Sequence, residues 1–367
     1  MAHSGERKIR VTFVLPSFSG GGAERVVLTL ARHLDRDRFS PFLVVLDAHG
    51  ALMDTVPDDV PITDLKRPRL RQAWPHLAGA LRDTNSDIIV PTISHINLAV
   101  LMLRGRLGPK TRIIARESNT PSASLAATRW PALFRGLYRW FIPRADAVLC
   151  PSQRVATEFH QDYRIDRDRL VVLPHPVDLN MVRRHSQPVV RAPGKGQRFV
   201  AAGRMTRQKG FDRLIDLFPT LSEDAHLTLL GEGGDLEALK QRAARLGVLD
   251  RIAFPGFSDN PWAYFAGADA FLLPSRWEGM PNATLEALGV GVPVIARSEA
   301  GGVTEIGART GSLTIVDSDQ EFAAAMRNVQ EQPGEVSRPS LLPERFTLDI
   351  VMTDFEEFLA KTAGSVR

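Results

Sequence analysis

A single cysteine, Cys150, is present among 367 residues. No internal disulfide can form, and such a chain suits a reducing compartment. Cys150 closes the apolar run 147–150 and reads as core, not as a reactive thiol. No apolar run approaches the roughly 20 residues of a membrane-spanning helix. The polar start, residues 1–8, leads straight into a strand-like run at 9–15, with no apolar stretch and small-residue cleavage site before it. These absences together predict a cytoplasmic chain.

What is present is a globular composition, 44% hydrophobic and 24% charged, in a length that accommodates two ordinary domains. The net charge of +4 is unevenly spread. Residues 1–190 hold 27 Lys and Arg against 18 Asp and Glu, and the remainder hold 19 against 24. Such asymmetry assigns different partners to the two halves.

Short apolar runs alternate with helical periodicity. Runs at 9–15, 42–46, 88–91, 112–115, 147–150 and 170–173 read as strands of a first series, and 23–34 as a helix. A second series has strands at 199–202, 226–230, 252–255, 270–274 and 292–296, with helices at 211–218 and 236–246. Near-continuous Val, Ile and Leu fits parallel strands covered on both faces. The predicted class is therefore α/β, with two doubly wound, Rossmann-like domains. Their expected limits are 1–184 and 198–345, joined by a linker at 185–197 and followed by a terminal helix within 346–367.

Chemistry concentrates at strand ends. The first βα turn carries Gly20-Gly21-Gly22, where the backbone can approach a ligand without a Cβ in the way. Its spacing is neither a dinucleotide fingerprint nor a P-loop. The second series opens on Gly203-Arg204 with Lys209-Gly210, two cations able to neutralise a diphosphate. Gly231-Glu232-Gly233 and Gly256-Phe257 follow the next two strands and suit a nucleoside pocket. Residues 275–288 read as strand end, loop and helix start, with Glu278 in the loop and Glu286 in the helix's first turn. Carboxylates beside an anion-attracting helix start point to a ligand that is both phosphate and polyol.

Taken in order, Gly20-Gly-Gly-Ala-Glu-Arg25, Pro174-x-Pro-Val-Asp178, Gly203-Arg204 with Gln208-Lys-Gly210, Gly231-Glu-Gly233, Glu278-x7-Glu286 and Ala300-Gly-Gly302 resemble the retaining glycosyltransferases of family 4. The resemblance covers nearly the whole chain. It implies the GT-B architecture, with two domains facing each other across a deep cleft and the C-terminal helix returning to the N-terminal, acceptor-binding domain. It implies that Arg204 and Lys209 hold the donor diphosphate, Glu278 the sugar hydroxyls and Glu286 the ribose. Gly279 and the N–H groups of Met280, Asn282 and Ala283 would line the site, and Gly21 and Gly22 would close over the diphosphate.

The implied reaction is metal-independent transfer from a nucleoside diphosphate sugar, with UDP expected, no cofactor, and retention at the anomeric carbon. The Asp-x-Asp triplets at 35–37, 166–168 and 317–319 read as ordinary polar residues. One departure is the loop 115–121, which lacks the histidine many members carry. Its Glu117, Asn119 and Pro121 instead resemble a subgroup building lipid-linked oligosaccharides and surface polysaccharides, including lipopolysaccharide, with Ser118 a further acceptor-side candidate. Glu117 is the expected acceptor base, with His95 a competitor and Asn97 beside it.

Residues 104–144 hold nine Arg and Lys against one acid, Glu117. After Pro131 the spacing predicts a helix with Leu133, Phe134, Leu137 and Phe141 on one side. It reads either as a contact with the anionic inner face of the cytoplasmic membrane or as a helix covering the sheet with solvated arginines. Nucleic acid is a poorer partner, since no binding motif accompanies the charge. A sugar-nucleotide epimerase or hydrolase, and a noncatalytic nucleotide-sugar binder, are the competing functions.

Overall fold

Strands covered on both faces need apolar side chains on both, which is why the β runs carry so few polar residues. A computed structural model describes residues 7–192, 195–307, 311–332 and 337–364. The leader-free start expected over residues 1–6 and part of the expected linker, 193–194, lie outside the described residues. The chain divides into two units, Met1–Pro176 with Asp349–Arg367, and Val177–Leu348.

In unit 1 the elements run β1 (Ile9–Leu15), α1 (Gly22–His33), β2 (Phe39–Val45), β3 (Ile62–Asp64), α2 (Leu70–Asp83), β4 (Ile88–Pro91) and α3 (Ser94–Met102). They continue with β5 (Arg112–Arg116), α4 (Pro121–Ala126), α5 (Pro131–Phe141), β6 (Ala147–Cys150), α6 (Gln153–Tyr163) and β7 (Leu170–Val172). The sheet is parallel, in the order β3-β2-β1-β4-β5-β6-β7. Val14, Ile89, Ile113 and Val148 join Leu77, Val100, Tyr138 and Phe159 in one buried cluster.

Unit 2 runs α7 (Leu179–His185), β8 (Arg198–Ala202), α8 (Phe211–Leu217), β9 (His226–Leu230), α9 (Leu236–Arg245), β10 (Ile252–Gly256) and α10 (Pro261–Gly267). It ends with β11 (Ala270–Leu273), α11 (Asn282–Val290), β12 (Val294–Arg297), β13 (Leu313–Val316) and α12 (Asp319–Arg327). Its parallel sheet is ordered β10-β9-β8-β11-β12-β13. The period of two is visible along β8: Val200 joins the cluster with Phe271 and Leu288, whereas Phe199 and Ala201 join Phe211, Leu214 and Leu239 on the other face.

One boundary differs from the sequence expectation. Residues 177–184, assigned from sequence to the first domain, lie in unit 2, because Val177 and Val182 are buried with Leu285 and Leu288 of α11. The last helix, α13 (Leu348–Gly364), belongs from Asp349 onward to unit 1. There Phe355 meets Phe13 at 6.4 Å, and Glu356 accepts from the Asp35 N–H at 2.8 Å and from Arg38 at 3.1 Å.

In each sheet the chain starts in the middle, builds outward one way, then returns to build the other way. The reversal falls between β1 and β4 in unit 1 and between β8 and β11 in unit 2. Ligands of open parallel sheets bind outside the carboxyl ends of the strands at such reversals.

Candidate active site

In unit 2 the reversal brings the loop after β8 to the loop after β11. Lys209 Nζ donates to Glu278 Oε1 at 2.7 Å, and Ser275 Oγ donates to the same oxygen at 2.8 Å. Glu278 is 6% exposed, so its charge is held by these partners and not by bulk water. Arg204, at the head of the loop, is exposed and makes no side-chain hydrogen bond or ion pair among the described residues. A paired cation thus meets a sheltered carboxylate, and an uncommitted one follows Gly203, whose Cβ position lies 2.9 Å from the Lys209 side chain.

Glycines allow this packing. Gly210 is left-handed (φ 70°), and a Cβ there would lie 2.3 Å from the Pro274 carbonyl oxygen. A Cβ on Gly231 would lie 2.1 Å from the Gly203 oxygen, so the turns after β8 and β9 touch backbone to backbone. Gly302 does the same for Ala300-Gly301-Gly302, its Cβ position being 2.1 Å from the Gly279 oxygen.

Glu286 is not in the first turn of α11, where its sequence context placed it. The helix begins at Asn282 with no acidic residue in its first turn and no side-chain cap, and Glu286 lies one turn further on. Trp262 Nε1 donates to its Oε2 at 2.9 Å. The expectation failed because Pro281 is itself the cap residue, so the helix is already a full turn old when it reaches Glu286. Met280 is buried, Asn282 and Ala283 are half-buried at the helix start, and Gly279 is buried behind them. Glu232 is exposed, Gly256 half-buried and Phe257 41% exposed at the ends of β9 and β10.

The unit 1 candidates have a different character. Glu117, just beyond β5, is 1% exposed. It accepts from Ser94 Oγ at 3.0 Å, from the Ser118 N–H at 3.2 Å and from the Tyr138 hydroxyl. Burial pushes its carboxyl above the ordinary range, against those hydrogen bonds. Asn97 is fully buried and donates to the Arg116 carbonyl at 3.0 Å and to Tyr138 Oη at 3.5 Å. Arg116 is buried too, its guanidinium 3.1 Å from His175 Nε2, and desolvation draws it down to about 10.

Glu117 and Asn97 therefore face inward, and neither offers an open side to an acceptor. Ser118 and Asn119 are half-buried, with Asn119 Oδ1 accepting from the Thr120 N–H at 2.9 Å. His95 is exposed at the start of α3. Gly21 caps α1 and Gly22 begins it; a Cβ on Gly21 would displace the Glu24 carboxylate, 2.1 Å away.

Sequence reasoning missed Ser275, Arg276, Gln208, Ser94 and Tyr138. The first two stand in the same stretch as Glu278, and their proximity to it was the available signal. Tyr138 sits among aromatics that read as ordinary core.

On α5, Phe134, Leu137 and Phe141 pack against the core as expected, but Leu133 is 58% exposed. Anchoring through Tyr138 sets the helix rotation and leaves Leu133 at the margin of the buried arc. Trp140, seven residues on and therefore on the same side, is 67% exposed, and Trp130 is 60% exposed. Arg144 lies 5.5 Å from the Trp140 ring and Arg129 5.7 Å from the Trp130 ring. No helix among the described residues is long and apolar enough to cross a membrane.

Two family models match the chain in tandem, Glycosyltransferase Family 4 over residues 20–181 and Glycosyl transferases group 1 over residues 182–340. The chain is 26% identical over 329 residues to N-acetylgalactosamine-N,N'-diacetylbacillosaminyl-diphospho-undecaprenol 4-alpha-N-acetylgalactosaminyltransferase of Campylobacter jejuni, covering 86% of this chain and 88% of that protein. It is 29% identical to the lipopolysaccharide core biosynthesis mannosyltransferase LpsB of Rhizobium meliloti, over 57% of this chain and 58% of LpsB. Among solved structures, HepE of Anabaena in complex with UDP-glucose aligns with a TM-score of 0.76 at 19% identity, covering 97% of this chain and all of that one.

Proposed function

Because the chain belongs to the GT-B glycosyltransferases, joining a family-4 module to a group-1 module, we propose a specific transfer at the unit 2 loops. A sugar passes from a UDP-sugar to a hydroxyl of a lipid-linked or saccharide acceptor, with retention at the anomeric carbon. The observation that carries this reading is the Lys209–Glu278 pair with Arg204 uncommitted beside it. Cations suit a diphosphate, and a sheltered carboxylate suits sugar hydroxyls.

In the reaction, the bond from the anomeric carbon to the diphosphate oxygen breaks and its electron pair leaves with the diphosphate. Arg204, Lys209 and the start of α11, at Met280, Asn282 and Ala283, stabilise that charge, and such fixed charges and dipoles are the main source of rate enhancement in a site of this kind. The acceptor oxygen bonds to the same face of the carbon. Attack from that face brings the acceptor proton beside the departing phosphate oxygen, which takes it. Glu286 and the turns at Gly231-Glu232 and Gly256-Phe257 hold the nucleoside, and Gly203 and Gly279 shape the floor. His95, Ser118 and Asn119 remain acceptor-side groups, with Glu117 and Asn97 supporting their loops. Side-chain cations make the chemistry independent of a metal ion.

The lipid-linked acceptor rests on what the Campylobacter and Rhizobium relatives are named for and on α5. Trp130, Leu133 and Trp140 with Arg129, Arg135, Arg139 and Arg144 form an apolar stripe edged by cations, suited to the anionic inner face of the cytoplasmic membrane.

The test is nucleotide release from a panel of UDP-, GDP- and ADP-sugars, with and without chelator. Release from a UDP-sugar, unaffected by chelator, supports the reading. An isomerised donor without acceptor would identify an epimerase instead, and no release or binding of any nucleotide would sink the proposal. Cosedimentation with anionic but not neutral vesicles, lost in Trp140→Ala, tests the membrane contact.

A further inference from the structure

One residue between the two donor loops belongs to neither role assigned above. Arg276 sits two positions before Glu278, and its hydrogen-bond partners all lie around Lys209. Its N–H donates to the Gln208 carbonyl at 2.8 Å. Its Nη1 donates to the Arg207 carbonyl at 2.8 Å, and its guanidinium forks onto Asp212 at 2.8 and 2.6 Å. Gln208 returns the contact, its Nε2 donating to the Trp277 carbonyl at 3.0 Å.

Residues 207, 208 and 212 bracket Lys209 on both sides, and residues 274 to 277 lead into Glu278. The two segments are thus laced together at fixed register, with Gly210 pressed on Pro274 as the closing contact. Arg276 bonds to neither Lys209 nor Glu278. A half-exposed ion pair stabilises a fold very little, so a gain in stability is a poor account of this arrangement. The planar fork supplies direction: only arginine reaches a carboxylate with two parallel N–H groups and a carbonyl with the same headgroup.

We propose that Arg276 is a positioning residue for the transfer reaction, fixing the loop that delivers Lys209 to the donor diphosphate opposite Glu278. The inference rests on the donor-site reading given above. A side chain displaced by an ångström loses much of its catalytic effect, so the consequence is in turnover, with binding of the free nucleotide affected less.

The experiment is a double-mutant cycle of Arg276→Ala and Lys209→Ala, read as nucleotide release from the donor turned over in the panel, with UDP affinity measured by calorimetry. Arg276→Ala lowers kcat about tenfold, a factor that corresponds to about 1.4 kcal/mol, and changes UDP affinity less than about threefold. In the Lys209→Ala background the same substitution has almost no further effect, because its path runs through Lys209. Arg276→Lys fails to restore the rate, since it keeps charge and loses the fork. Asp212→Asn, which leaves Arg276 in place, gives a smaller loss in the same direction.

Multiplying losses in the double mutant would overturn the proposal, as would a wild-type rate in both Arg276→Ala and Arg276→Lys. Wild-type turnover in Lys209→Ala alone would instead overturn the donor-site reading, so the two failures are distinguishable.

Discussion

Both units place polar side chains at the carboxyl ends of central strands, and they use them in opposite ways. In unit 2, Arg204 is exposed and half-buried Lys209 pairs with the sheltered Glu278. In unit 1, Glu117, Asn97 and Tyr138 are held by one another under cover. An accessible group can exchange its partner for a ligand, and a buried one can only hold its surroundings in place. Similar topology thus presents an accessible cation in one unit and a buried polar cluster in the other.

The sharpest break of this comparison pairs Arg204→Ala with Glu117→Gln. Arg204→Ala lowers turnover by about a hundredfold, the loss typical of one preorganised charge-stabilising group, while the thermal midpoint stays put because the side chain has no partner to lose. Glu117→Gln keeps turnover within about threefold of wild type. If Glu117→Gln instead abolishes turnover in folded protein, unit 1 also holds a reacting group and the contrast collapses.

The next effect is on stability. Glu117→Ala leaves the Ser94 and Tyr138 hydroxyls buried without an acceptor and destabilises by about 3 kcal/mol, read as a lowered urea midpoint.

Acid titration separates the units by sign. Burial works to raise the Asp212 carboxyl, but the Arg276 hydrogen bonds and charge outweigh it and leave it below its ordinary value. Stability from Asp212 is present above the ordinary aspartate range and is lost as pH falls through the depressed value. Glu117, raised by burial, contributes at low pH and loses that contribution as pH rises through its elevated value. Thermal midpoints measured from about pH 3 to 7 should show Asp212→Asn flattening the acid limb and Glu117→Gln flattening the opposite slope.

The smallest expected effect contrasts two glycines. Gly302→Ala meets a backbone oxygen at 2.1 Å and weakens turnover and stability together, whereas Gly21→Ala displaces only the flexible tip of Glu24. A Gly21→Ala variant as damaged as Gly302→Ala would show that α1's start is as tightly built as the unit 2 turns.

The loop cluster around Lys209 and Glu278 was readable because its residues fall in short stretches of chain and its turns need glycine. The central strands were readable from their apolar runs. The strands β3 and β13 were not, since both are edges of their sheets, three and four residues long, and a threonine follows the first apolar residue of each. The burial of Glu117 and Asn97 was not legible for a related reason. A polar residue beside a strand end looks the same in sequence whether it points out to a ligand or in to Tyr138. The allotment of residues 177–184 failed because it depends on what Val177 and Val182 pack against, which local pattern does not encode.

The return of α13 to unit 1 has a consequence for how the chain is made. Phe355 and Glu356 close over Phe13, Asp35 and Arg38, yet all of unit 2 precedes them in order of synthesis. Unit 2 can complete its fold on the ribosome while unit 1 still waits with one face of its oldest strand uncovered. The unit begun earlier is thus the one finished later, and a nascent chain stalled before residue 349 would present that face to chaperones and proteases.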